Sequence, residues 1–296
     1  TRTTMTELSN HNTKLGSYLE ERYNPNVLKH RHLPELNKLS LLLAVILLAY
    51  ALARYIDFPA RELSIQLPGI YLSVSINIRT AVTLLSAIIT ASGADWLFRS
   101  HPEIGQTPTY EHWLLPALTA WVIGIPLFQI PIGLTWWFGF LFAGVMLVAV
   151  LIAEYITIDP DDIRYSVAAS GLTALSFGLF LTLVISLRFA GYRLFLVLPA
   201  VTVAAWLVCL RAYFLRSQRS TAFVYASLVA IITAQIAAVM HYLPISPISF
   251  GVLLLSPTYT ISSFFANMQD SDPIRQAATE PSIIFAIILG FVIWIG

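Results

Sequence analysis

Residues 134–156 read LTWWFGFLFAGVMLVAVLIAEYI, a stretch with one carboxylate, Glu154, and no basic side chain. A helix of that length runs ~34 Å at ~1.5 Å per residue, enough for a ~30 Å hydrocarbon core. It would be apolar on every face, and no face of such a helix can be left in water. Working outward, runs of the same kind fall at 39–55, 78–98, 113–130, 165–187, 193–215, 221–242 and 248–267, with a shorter one at 281–296. The expected fold is therefore an all-α polytopic membrane protein with eight transmembrane helices and a truncated ninth.

The whole chain agrees with that stretch. Of its 296 residues 57% are hydrophobic and only 11% charged, with mean hydropathy +0.74, whereas a soluble domain is about a quarter charged. Lys+Arg 17 against Asp+Glu 16 leaves a net charge of +1. These values exclude a disordered chain, a nucleic-acid binder with a basic face and a cytosolic enzyme. A lone Cys209 allows neither an intrachain disulfide nor a cysteine-based zinc site. No cleavable signal pattern precedes the first apolar run. A first residue that is not Met, and an end inside the apolar run 281–296, are the pattern of a fragment cut at its C-terminus.

Basic residues in short loops and near span ends set orientation. With the N-terminus inside, that face holds Arg2, Lys14, Arg22, Lys29, Arg31, Lys38, Arg99, Arg164, Arg211, Arg216, Arg219 and Arg275, against Arg54, Arg61, Arg79, Arg188 and Arg193 on the other. The expectation is a cytoplasmic N-terminus. Trp96, Trp113, Trp136, Trp137, Tyr155, Tyr192, Tyr213 and Tyr242 fall near span ends, where amphipathic rings sit among headgroups.

Residues 1–37 are polar, mixed in charge and broken at Pro25 and Pro34, and read as a cytoplasmic arm preceding a transmembrane domain at 38–296. Between the first two spans, 62–77 alternates strictly. Leu63, Ile65 and Leu67 precede Pro68-Gly69, and Ile70, Leu72, Val74 and Ile76 follow it. A two-residue loop pairs Leu67 with Ile70, Ile65 with Leu72 and Leu63 with Val74, which collects the apolar side chains on one face of an extracytoplasmic β-hairpin. Leu115-Pro116-Ala117 with Trp121 also echoes Leu198-Pro199-Ala200 with Trp206 at an offset of 83 residues, which lays spans two to four on five to seven. Three-helix repeats of that kind are inverted, as in secondary transporters.

Chemistry-bearing residues are few. Asp95, His101 and His112 bracket one cytoplasmic loop, and Glu154 with Asp159, Asp161 and Asp162 borders the next. Asp95 and Glu154 sit deepest, so each calls for a partner such as Arg99 or Arg164. His101 and His112 could join them as metal ligands or proton carriers for chemistry at a lipid headgroup, against the plainer reading of solvated charges and helix caps. At mid-membrane depth the polar candidates are Gln235 and the run Ser256-Pro257-Thr258-Tyr259-Thr260, where proline frees a carbonyl. Gln235, Ser256, Thr258 and Thr260 would line a substrate site in a permease. No nucleophile elbow, phosphate loop, zinc helix or calcium loop occurs, and no metal or cofactor is expected.

The strings Gly93-Ala94-Asp95-Trp96-Leu97-Phe98-Arg99-Ser100-His101-Pro102, His112-Trp113-Leu114-Leu115-Pro116 and Ala153-Glu154-Tyr155 with Asp159-Pro160-Asp161-Asp162 resemble a family of bacterial multi-pass membrane proteins, a domain of unknown function. The resemblance implies residence in a bacterial inner membrane and brings no activity, ligand or catalytic residue with it. Three roles then stand in order. The first is a non-catalytic scaffold or accessory subunit of a membrane complex, whose partners are the lipid bilayer and other membrane proteins rather than nucleic acid. The second is a small-molecule or lipid permease built on the inverted three-helix repeats, and the third an enzyme acting on lipid headgroups.

Overall fold

The computed structural model describes residues 34–55, 61–67, 70–76, 78–104, 109–216, 219–269 and 274–295. Most of the N-terminal arm lies outside them, as does the Pro68-Gly69 turn. The elements in chain order are α1 (Leu36–Tyr55), β1 (Arg61–Leu67), β2 (Ile70–Ile76), α2 (Ile78–Phe98), α3 (Tyr110–Gln129), α4 (Leu134–Ile156), α5 (Tyr165–Phe189), α6 (Leu194–Leu215), α7 (Arg219–His241), α8 (Pro247–Gln269) and α9 (Ile274–Ile295). Eight of the helices, α1 to α8, are long and apolar enough to cross a bilayer. α9 begins earlier than the apolar run does, and Pro281 lies inside it rather than at its start.

β1 and β2 form a two-stranded antiparallel sheet in which Leu67 faces Ile70, Ile65 faces Leu72 and Leu63 faces Val74. The alternation in the sequence accounts for that register, because a slip by one residue would exchange the two faces.

The helices group by contact into two sequential up-and-down units. In the first, α1 packs on α2, α2 on α3 and α3 on α4, and α4 closes back on α1. In the second, α5 to α8 repeat the same circuit, with α8 closing on α5. α3 against α5 and α6, and α4 against α5, join the units, while α9 packs on α8. The cores follow the division only in part: Leu42, Ile46, Tyr50, Leu97, Trp136 and Leu147 fill the first unit, whereas the core holding Phe180, Leu183, Val201, Val208, Phe250 and Leu254 of the second also takes in Leu115, Leu118 and Val122 of α3 and Val150 of α4.

This grouping differs from the three-on-three repeat expected from the 83-residue offset. The unit has four helices, and the capping chemistry repeats with it. Arg54, the penultimate residue of α1, donates to the carbonyls of Phe128 (3.4 Å) and Ile130 (2.9 Å) at the end of α3. Arg188, the penultimate residue of α5, donates to those of His241 (2.7 Å) and Leu243 (2.8 Å) at the end of α7. In both units a cation on the first helix satisfies the orphan C-terminal carbonyls of the third, where the helix dipole is negative. Repeats with an even number of spans run parallel through the membrane.

Close approach inside each unit is made by small residues. A Cβ at Gly124 would lie 2.4 Å from Thr83 Cγ2 and 3.0 Å from Tyr50 Cε1, so α3 meets α1 and α2 at that point only because it carries no side chain. Many span hydroxyls turn back onto their own helix, as Thr90 does to the Ser86 carbonyl (2.6 Å), Thr119 to Leu115 (2.7 Å) and Ser176 to Leu172 (2.7 Å). Their polarity is spent locally, which lets these buried hydroxyls sit in the apolar interior. Trp136 departs from its expected place at the headgroups. It is fully buried, stacked on Phe140 with ring centroids 5.1 Å apart, whereas its neighbour Trp137 is exposed. Successive helical residues point ~100° apart, so only one ring of the pair can face lipid.

Candidate functional site

The end of the bundle opposite the hairpin is formed by the α2–α3, α4–α5 and α6–α7 connections, and it gathers the ionic groups. Glu154 stands two residues from the end of α4 and is completely buried. Its partner is Arg211, four residues from the end of α6 and also buried. Arg211 Nε donates to Glu154 Oε1 at 2.8 Å and its Nη2 donates to Oε2, a two-pronged grip that fixes both carboxylate oxygens. The same Nη2 lies 3.1 Å from Thr157 Oγ1, which in turn donates to the Glu154 carbonyl at 3.0 Å. His112, in the first turn of α3, completes the cluster. Its Nδ1 is 3.3 Å from Glu154 Oε2 and 3.5 Å from Arg211 Nη2. Protonated, Nδ1 donates to the carboxylate; unprotonated, it accepts from the guanidinium.

Two charges out of water are held only when their attraction and hydrogen bonds offset desolvation, and this arrangement supplies both. It also ties together three helices, α3 and α4 of the first unit and α6 of the second. The partner of Glu154 is therefore Arg211 and not Arg164. Arg164 instead pairs with Asp162 (2.7 and 3.1 Å), whose Oδ1 also accepts from the Arg164 backbone N–H at 2.8 Å. Asp159 likewise accepts from the Asp161 N–H at 2.9 Å, so the acids of the α4–α5 connection shape its turn.

Asp95 does take Arg99, at 2.8 and 3.3 Å, and also accepts from Thr109 Oγ1 across the α2–α3 connection. These bonds to acids push the Arg99 and Arg164 guanidinium groups above their usual range. His101 is buried with its ring 4.7 Å from that of Tyr155, and its Nδ1 accepts the Glu103 N–H at 3.2 Å. Of the four acid–base candidates, then, His112 and Glu154 share one cluster, while Asp95 and His101 each hold separate local contacts. Among the described residues no three His, Cys, Asp or Glu side chains gather as they would to hold a metal ion.

The membrane-depth candidates divide as well. Ser256 and Thr258 are buried on α8, and Thr258 Oγ1 lies 3.0 Å from Thr233 Oγ1 of α7. The hydroxyls of Ser256 and Thr260 are buried with no hydrogen-bond partner among the described residues, one turn apart beside Pro257. Gln235 is exposed on the outer side of α7, away from those hydroxyls. A groove of about 500 Å³ between α1 and α4 is lined only by apolar residues, among them Leu43, Leu47, Phe140 and Val148.

Arg211 was absent from the candidates because an arginine near a span end reads as a positive-inside marker. The available signal was depth: a guanidinium inside an apolar run needs an acid, and Glu154 is the carboxylate placed correspondingly deep in another run.

The chain belongs to the family described as a protein of unknown function (DUF5656), which matches residues 58–295. No curated protein and no solved structure matches it.

Proposed function

We propose that this DUF5656 member is a non-catalytic scaffold or accessory subunit of a membrane complex. The observation that supports this reading is the use made of Glu154. Both of its oxygens are engaged, by Arg211, with His112 and Thr157 alongside, and the cluster spans the seam between the two four-helix units. A general acid or proton carrier needs a carboxylate that can exchange its proton with substrate or water, whereas a carboxylate closed on a guanidinium acts as a staple. The outer faces of α1 and α4, with Leu41, Leu48, Phe138, Leu141 and Phe142 exposed, offer lipid and neighbouring spans a broad apolar surface.

The test is the paired replacement Glu154→Met with Arg211→Met. A staple tolerates it, because apolar side chains of similar volume can replace a buried ion pair at little cost. The double variant is expected to be recovered from native membranes with the same companion chains, in the same ratio, as the wild type. A folded double variant in which the cellular phenotype is lost while those companions remain bound would overturn the reading in favour of chemistry at Glu154.

A second reading, a permease, is supported by the unpartnered Ser256 and Thr260 hydroxyls beside Pro257. Substrate-protected labelling of a Ser256→Cys variant in membranes would favour it. Gln235 has no place in that site, since it lies on the outer side of α7.

A further inference from the structure

Among the described residues α7 packs mainly on α6 and α8, and part of its surface stays exposed. The exposed residues of one face are Val224, Leu228, Ile231, Gln235 and Val239, followed by Tyr242 just beyond the helix. Their spacing alternates mainly between three and four, the seam of a helix that packs against another along its length. Apart from Gln235 the residues on this seam within the helix are aliphatic. Gln235 lies six residues from the end of α7 at His241, which at ~1.5 Å per residue is ~9 Å inside the span. A carboxamide there has two N–H donors and a carbonyl that hydrocarbon cannot satisfy. Exposed hydroxyls on α5 avoid the problem by bonding to their own helix, as Ser170 does to Val167 (3.0 Å) and Thr182 to Gly178 (2.9 Å). Gln235 is exposed and, among the described residues, makes no such bond.

We infer that this face of α7 is a homodimer interface in which the Gln235 carboxamides of two copies hydrogen-bond to each other across a two-fold axis along the membrane normal. The occupant follows from the chemistry of the group. An amide is donor and acceptor at once, so two of them related by a two-fold axis satisfy one another, which a lone carboxylate or ammonium could not do. A two-fold contact also brings each seam residue against the same seam of the partner, and both copies necessarily cross the bilayer in the same direction. A single polar position in an otherwise apolar seam fixes register. The inference deepens the scaffold reading and rests on it only in part, since its test uses the purified chain without companions.

The full chain reconstituted in liposomes at graded protein-to-lipid ratios, with stoichiometry counted by single-molecule photobleaching, is expected to show a reversible monomer–dimer equilibrium. Gln235→Leu should weaken it about fivefold to thirtyfold. A Gln235→Cys variant should form a dimeric disulfide in membranes on mild oxidation, because native Cys209 is fully buried and contributes no background. A Leu141→Cys variant on the exposed face of α4 should not. A wild-type chain that stays monomeric at every ratio, an equilibrium unmoved by Gln235→Leu, or equal cross-linking at 141 and 235 would overturn the interface. A monomer that still binds companion chains would remove the dimer and leave the scaffold standing.

Discussion

Removing the guanidinium of Arg211 strands Glu154 where no water reaches it, and removing the carboxylate strands Arg211 in the same way. Each single change, Glu154→Met or Arg211→Met, should therefore lower unfolding stability by ~3–5 kcal/mol, while the double change should cost far less than the sum. Thermal unfolding of the four proteins in one detergent checks this, and additive losses would show that the pair is not coupled. Arg188 makes a smaller contribution, because two charge-assisted bonds to the α7 end are partly exposed. Arg188→Met should cost ~1–3 kcal/mol in the same assay. The sequence marked Glu154 as needing a partner but not which one. Arg164 is ten residues away along the chain and Arg211 fifty-seven, and only the packing of α4 against the second unit decides between them. Asp95 was legible for the opposite reason: its partner is one helical turn away.

At the scale of the element, the same substitution has opposite sign at two glycines. On α8, a Cβ at Gly251 would lie 2.5 Å from Ile185 Cγ1 and 3.1 Å from Leu181 Cδ1 of α5. Because Ile185 Cγ1 is near the root of its side chain, the helices themselves must move apart. Gly251→Ala is expected to cost ~1–3 kcal/mol. On α5, Gly178 would meet nothing within 4 Å, and Gly178→Ala should stabilise by ~0.5–1 kcal/mol through backbone entropy alone. Melting temperatures moving in opposite directions would confirm both; a loss at Gly178 would mean that its open side is occupied in the membrane. The helices themselves were legible, since hydropathy over some twenty residues is an average that errors at single positions cannot overturn. Direction around each helix was not. Trp136 and Trp137 read alike in sequence yet one is core and the other surface, and Gln235 has the depth of a substrate ligand but the outward bearing of a contact residue.

For the whole molecule, contacts and arginine caps both divide the spans four and four, so the hairpin and the α3–α4, α5–α6 and α7–α8 connections share one end and the Glu154 cluster lies at the other. Among the described residues the cluster end carries Lys38, Arg99, Arg164, Arg211, Arg216, Arg219 and Arg275, and the hairpin end Arg54, Arg61, Arg79, Arg188 and Arg193. That distribution alone is shallow. Three of these cations serve packing in either orientation and carry less weight as topology signals: Arg54 and Arg188 on helix carbonyls at the hairpin end, and Arg211 on Glu154 at the cluster end. Discounting them sharpens the bias, and on that ground we propose that the cluster end is cytoplasmic. Single-cysteine labelling can read this directly, since Cys209 is buried and stays silent. In intact cells a membrane-impermeant maleimide is expected to label an Ile132→Cys variant in the α3–α4 connection and to spare an Asp161→Cys variant in the α4–α5 connection until the membrane is opened. Both positions are exposed, so reversed labelling would invert the topology and put the ionic staple on the outer face.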